Sequence, residues 1–135
     1  MDRYQDKRTS PEAHLLVVDD EPNIRDLLAS SLRFAGFEVS TAADGNGALR
    51  GAEAEPDLIV LDVMLPGMDG KALVRLLRER KNPLPVMVLT SQDAESEVIS
   101  ALDAGADDFV VKPARAGELR ARLKALVRRA GLGDI

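Results

Sequence analysis

The chain has no cysteine, which excludes a disulfide framework, a thiolate zinc site and a cysteine nucleophile. Tryptophan is also absent and aromatic residues make up only 3% of the 135, so Val, Leu, Ile and Ala must fill any core. The single histidine, His14, cannot build a multi-histidine metal centre and reads as an ordinary strand-edge residue. No apolar run approaches the ~18 residues of a membrane span. Residues Met1 to Ser10 are polar and lack a signal-peptide apolar region, so the expected compartment is the cytoplasm. Positive charge is the scarcer sign, with 18 Lys and Arg against 23 Asp and Glu, a formal net charge of −5. That balance argues against nonspecific nucleic-acid binding, which needs clustered cations. There is no internal repeat and no low-complexity segment.

What is present is globular: 45% hydrophobic residues in a length that suits one domain. Residues 1–12 read as a flexible leader, charged and without apolar periodicity. Residues 13–130 form the domain, and the glycine-bearing residues 131–135 read as a tail or the start of a linker. Within the domain, short apolar runs alternate with amphipathic stretches. Leu15–Val18, Leu58–Leu61, Val86–Leu89 and Phe109–Val111 are almost wholly apolar, as strands of a parallel sheet covered on both faces should be. Glu38–Ala42 mixes in polar residues and suits an edge strand.

The intervening stripes, Ile24, Leu27, Leu28 and Leu32, then Leu73, Leu76 and Leu77, then Val98, Ile99 and Leu102, and last Leu119, Leu123, Leu126 and Val127, read as core-facing helix packing. Pro22 suits a first helical turn and Gly36 a helix stop. A weaker helix is expected from about Gly47 to Glu53, because three glycines lower its intrinsic stability. Five strands alternating with five helices predict a single doubly wound α/β domain, (βα)5, whose ligand site lies beyond the carboxyl ends of the strands.

Polar residues accumulate at those ends. The first strand stops at Asp19-Asp20-Glu21, the third at Asp62, the fourth at Thr90-Ser91 and the fifth at Lys112-Pro113. Convergence of Asp19, Asp20 and Asp62 would bring three carboxylates together. Two unit charges about 4 Å apart interact by about 4 kcal/mol at an effective dielectric of about 20. Such a cluster either raises a carboxyl pKa or holds a cation. An all-oxygen donor set favours a hard divalent ion, Mg²⁺ before Zn²⁺. Lys112 adds a positive charge, and the Thr90 hydroxyl can donate to an oxyanion. The plainer alternative for Asp20 or Glu21 is an acidic cap on the first helix, and Asp62 alone would be a weak signal. The four parts, each at a strand end and in this order, form a strong one.

These blocks, Val17-Val18-Asp19-Asp20-Glu21-Pro22, Leu61-Asp62 through Asp69-Gly70, Leu89-Thr90-Ser91 and Gly105 through Pro113, resemble the signature of response-regulator receiver domains, over about residues 13–130. The resemblance is nearest to receivers of winged-helix transcriptional regulators. It implies a flavodoxin-like (CheY-like) fold with strand order 2-1-3-4-5 and phosphoryl transfer from a sensor histidine kinase to Asp62. It implies Mg²⁺ (or Mn²⁺) held by Asp19, Asp20, Asp62 and the Met64 carbonyl, with Lys112 and Thr90 on phosphoryl oxygens. Autophosphorylation and autodephosphorylation would be the only chemistry. Thr90 and Phe109 would form the switch, and the Lys112-Pro113 peptide resembles a turn that is often cis. Asp107, Asp108, Glu118, Arg122 and Lys124 are candidates for a dimer face on the fourth helix, fifth strand and fifth helix. DNA would be reached only through an effector domain outside this chain. Two departures stand out: Ala114 replaces a common aromatic, and Val98 stands where a basic partner for Glu118 is expected.

Three other functions fit the residues less well. A haloacid-dehalogenase-type hydrolase wants a second Asp two residues after the nucleophile, where Met64 stands. A flavodoxin-like cofactor carrier wants a Ser/Thr/Gly-rich first loop, and acidic Asp19-Asp20-Glu21 would repel a phosphate. A receiver-shaped module that only binds partners would not need the complete acidic, hydroxyl and lysine set.

Overall fold

In a computed structural model, residues 13–62, 70–90, 95–112 and 116–129 are described. Five strands, β1 (His14–Val18), β2 (Glu38–Ala42), β3 (Leu58–Asp62), β4 (Val86–Thr90) and β5 (Asp108–Val111), alternate with five helices. The helices are α1 (Pro22–Phe34), α2 (Gly45–Glu53), α3 (Gly70–Glu79), α4 (Glu95–Ala104) and α5 (Ala116–Arg129). All strand pairs are parallel and the order is β2-β1-β3-β4-β5, which puts the polar-mixed strand at an edge as expected; the apolar β5 is the other edge, so the reading of it as covered on both faces is corrected, only Val110 being buried.

Strand side chains alternate between two cores. Leu16, Val18, Ile59, Leu61, Val86 and Val88 face the layer holding α2, α3 and α4. Leu15, Val17, Leu58, Val60, Met87 and Leu89 face α1 and α5. Both faces of β3 and β4 are therefore covered, and all ten of their residues are buried.

Helix α1 starts where Glu21 accepts bonds from the Asn23 and Ile24 amides and Pro22 fills the first turn. It ends before Gly36, at φ +108°. Helix α2 begins two residues earlier than expected, because Asp44 caps it by accepting from the Gly47 amide.

Two apolar stripes are wider than the faces they bury. Ile24 and Leu27 are 41% and 69% exposed, while Ala29 and Leu32 are buried. At about 100° per residue, Leu27 lies roughly 140–160° from those two, on the outward side. On α4, Val98 and Ala101 face inward and Ile99 is half exposed. The core-facing reading is corrected for Ile24, Leu27, Ile99 and Leu102, the last 39% exposed: apolar residues at helical spacing mark an arc broader than the sheet covers.

Candidate functional site

The parallel register brings four strand ends to one edge. Strand β3 is buried throughout, so its last residue, Asp62, is held in the interior at 6% exposure. The Asp19 amide donates to the Ala42 carbonyl at 3.1 Å, extending the sheet by one rung and burying Asp19 to 1% exposure. Asp20 turns outward into solvent. The Lys112 amide donates to the Thr90 carbonyl at 2.6 Å, which sets the lysine stem just past β5. Thr90, the last residue of β4, is buried.

The expected residues converge. Asp19, Asp20 and Asp62 each offer a carboxylate oxygen, all within 4.8 Å of one another. The Lys112 Nζ donates to Asp62 Oδ2 at 2.8 Å. Asp19 Oδ1 accepts from the Glu21 amide at 3.0 Å, but buried Asp19 Oδ2 accepts no hydrogen bond from the described residues. Burial pushes the Asp19 carboxyl above the usual carboxylate range, the Asp62 and Asp20 charges push the same way, and the Glu21 N–H and the Lys112 ammonium oppose them. A buried, unpartnered carboxylate oxygen beside two more acids is what a hard divalent cation would satisfy, so Mg²⁺ or Mn²⁺ fits this donor set. Glu21 itself serves as the helix cap.

The other expected residues sit as follows. Phe109 is partly buried and packs against the β3–β4 core on the α4 side. Arg122 donates to Asp108 Oδ2 at 3.4 Å and to Glu118 Oε2 at 3.3 Å, pairing three of the dimer-face candidates within one chain. Lys124 lies on α5, partly buried. Asp107 has a different setting: its Oδ2 accepts from the Val86 amide at 2.8 Å and from Arg78 at 3.2 Å. Met64, Ser91, Pro113 and Ala114, with the leader and the tail, lie outside the described residues.

Two arginines escaped the sequence reading. Arg25 Nη1 donates to the Asp19 carbonyl at 2.9 Å. Arg78 uses its whole guanidinium, donating to the carbonyls of Gly105, Asn82 and Leu84 and to Asp107. A signal existed for both: Arg25 lies four residues before Ala29 and seven before Leu32, and Arg78 four after Val74, so each charge falls on a buried arc.

The response regulator receiver domain model matches residues 15–124. The chain belongs to that family. The receiver is 49% identical over 118 residues to the transcriptional regulatory protein PrrA of Mycobacterium leprae, covering 87% of this chain and 51% of that protein. It is 48% identical over 116 residues to the alkaline phosphatase synthesis transcriptional regulatory protein PhoP of Bacillus subtilis, covering 85% of this chain and 48% of that one. It thus spans about half the length of these curated relatives. Among solved structures, a putative response regulator from Chloroflexus aurantiacus superposes with a TM-score of 0.82 at 38% identity, covering 87% of this chain and 98% of that one. NtrX from Brucella abortus gives 0.83 at 36% identity, over 89% of this chain and 28% of that one. No helix among the described residues is long and apolar enough to cross a membrane.

Proposed function

We propose that Asp62 of this receiver accepts a phosphoryl group from a phosphohistidine on a sensor histidine kinase. A carboxylate oxygen of Asp62 attacks phosphorus as the P–N bond breaks. The imidazole nitrogen leaves with that electron pair and takes up a proton, and Asp62 becomes an acyl phosphate. Lys112 steadies the carboxylate before transfer and a phosphoryl oxygen after it, and the Thr90 hydroxyl donates to another. Asp19, Asp20 and Asp62, with the Met64 carbonyl as a further ligand, would hold Mg²⁺ or Mn²⁺, which when bound supplies neutralisation of the negative charge. Small phosphoramidates would serve as donors in place of the kinase, and water would later cleave the acyl phosphate.

The output reading follows from the same contacts. Thr90 drawn toward the phosphoryl group frees space that Phe109 fills, shifting the populations of α4, β5 and α5. Asp107, Asp108, Glu118, Arg122 and Lys124 are the candidates for a dimer contact on that face, where each rim ion pair contributes about 0–1 kcal/mol. Relatives about twice as long carry transcriptional-regulator names, which supports control of DNA binding through an effector domain in a longer cytoplasmic protein, residues 13–130 being the receiver.

One observation carries this reading: a lysine ammonium 2.8 Å from the buried Asp62 carboxylate, inside a three-acid cluster. Incubation with phosphoramidate and Mg²⁺, read by intact mass, should add one phosphoryl group that maps to Asp62 and is missing from Asp62→Ala. No mass gain, or a gain that persists at another site in that variant, refutes it.

A further inference from the structure

Four hydrogen bonds lace the acidic loop and the first turn of α1. The Glu21 amide donates to Asp19 Oδ1, the Glu21 carboxylate caps the helix through Asn23 and Ile24, and Arg25 reaches back to the Asp19 carbonyl at 2.9 Å. The Glu21 amide bond fixes the Asp19 side chain, and the two bonds to the Glu21 carboxylate fix the helix start. The Arg25 bond fixes the peptide that joins Asp19 to Asp20, and so the relative aim of the two acids. A planar guanidinium on a helix surface is suited to that task because its donors sit in a rigid fork.

We infer that Arg25 is a positioning residue for the cation pocket, holding the Asp19-Asp20 backbone so that the Asp19 and Asp20 carboxylates converge with Asp62. This rests on the reading of that pocket as a divalent-cation site. Two effects of Arg25 on a bound cation oppose each other. Its charge repels the cation, so its removal would tighten binding by electrostatics alone. Its hydrogen bond holds the ligands in place, so its removal would loosen binding. The bond is a direct charge-assisted contact to the peptide between two ligands, whereas the repulsion acts at longer range, beyond that peptide, from a half-buried group that counter-ions can still screen in part. Positioning therefore outweighs repulsion.

The sign of the change is the test. Mg²⁺ is titrated into the full chain, divalent-free at the start, with binding followed by calorimetry and by amide NMR shifts. Arg25→Gln should weaken Mg²⁺ binding by roughly tenfold, the scale typical of lost outer contacts to metal ligands. Arg25→Lys, which keeps the charge and one donor, should lose less. Leu28→Ala, which loosens α1 on its core without touching the loop, should lower the melting temperature and leave Mg²⁺ affinity unchanged. Arg25→Met, which keeps an apolar stem, is read by the same criterion if Arg25→Gln does not fold. Equal or tighter binding in Arg25→Gln or Arg25→Met overturns the inference and leaves the pocket standing. Absence of Mg²⁺ binding by the wild-type chain removes the pocket reading and the inference with it.

Discussion

Asp19→Asn should stabilise the divalent-free receiver at neutral pH while abolishing its stabilisation by Mg²⁺. The Asp19, Asp20 and Asp62 oxygens lie within 4.8 Å of one another. A pair of unit charges at about that distance repels by about 3.5 kcal/mol at an effective dielectric of about 20, and by about 1 kcal/mol in water. Asp62 is buried and sits nearer the first figure, while exposed Asp20 sits nearer the second. Neutralising Asp19 removes both repulsions and its own burial penalty, and gives up its attraction to Lys112. Asparagine retains an oxygen for the Glu21 amide and places N–H donors where Asp19 Oδ2 stood without a partner. The net gain is about 2 kcal/mol, from partial cancellation of these terms. For a chain of this size that is a rise in melting temperature of roughly 5–10 °C.

The dependence on pH carries the same sign. The folded chain holds the Asp19 proton more tightly than the unfolded chain does, because the folded pKa is raised. This group's contribution to stability therefore falls as pH rises from the ordinary carboxylate range through the raised value. The gap between Asp19→Asn and wild type should be smallest at acid pH and open across that window. Thermal melts of both proteins in a chelator and in excess Mg²⁺, over a pH series, measure all of this. A variant that melts below wild type in the chelator, or that gains as much from Mg²⁺, refutes the reasoning.

Other perturbations test other parts of the structure. Lys112→Met leaves the Asp62 carboxylate and its phosphoryl adduct without the ammonium, and should slow phosphoramidate-driven labelling by roughly 100-fold; a wild-type rate would remove Lys112 from the chemistry. Arg78→Met breaks five hydrogen bonds from α3 to the loops that lead into β4 and β5. It should cost about 2–4 kcal/mol, seen as a lower urea midpoint at unchanged m-value. Gly105→Ala puts a methyl group 3.0 Å from Arg78 at φ +120° and should destabilise by about 1–3 kcal/mol. Gly117→Ala, in helical backbone with open space at its Cβ, should instead stabilise by about 0.5–1 kcal/mol; equal effects in urea melts would contradict the geometry.

Much of this was legible in the residues because the fold is locally consistent. Apolar runs mark the parallel strands, and β3 and β4 fall within one residue of their expected bounds, but the equally apolar β5 is an edge strand whose Val111 is 38% exposed. Acids placed at strand ends must converge once the sheet is parallel. What periodicity missed has a common cause. The Ile24 and Leu27 stripe resembles core because hydrophobicity reports what a residue tolerates, and only the sheet decides which arc is covered. Arg25 and Arg78 were passed over because charges read as solvent-facing, yet both bond backbone carbonyls from buried arcs. Asp107 joined the dimer candidates by resemblance, and its bond to the Val86 amide depends on a register between β4 and β5 that no local pattern carries.

Arg25 and Lys112, beside the acid pocket, make contacts that suit their different chemistry. Arg25 bonds a carbonyl, a partner that the proposed chemistry never alters, and a rigid fork serves a contact that must not move. Lys112 bonds the carboxylate that would be modified, and a compact ammonium with freely rotating donors can pass from a carboxylate oxygen to a phosphoryl oxygen without leaving the pocket. Lys112 also lines the groove between α1 and α5, beside Leu89, Gly117 and Leu119. A change of charge at Asp62 therefore reaches two surfaces through one side chain. It would act on β5 through the lysine's own backbone, and on the α1–α5 face through its side chain. Among the described residues, three acids of the cluster meet one ammonium, so their mutual repulsion favours the divalent ion proposed for the pocket.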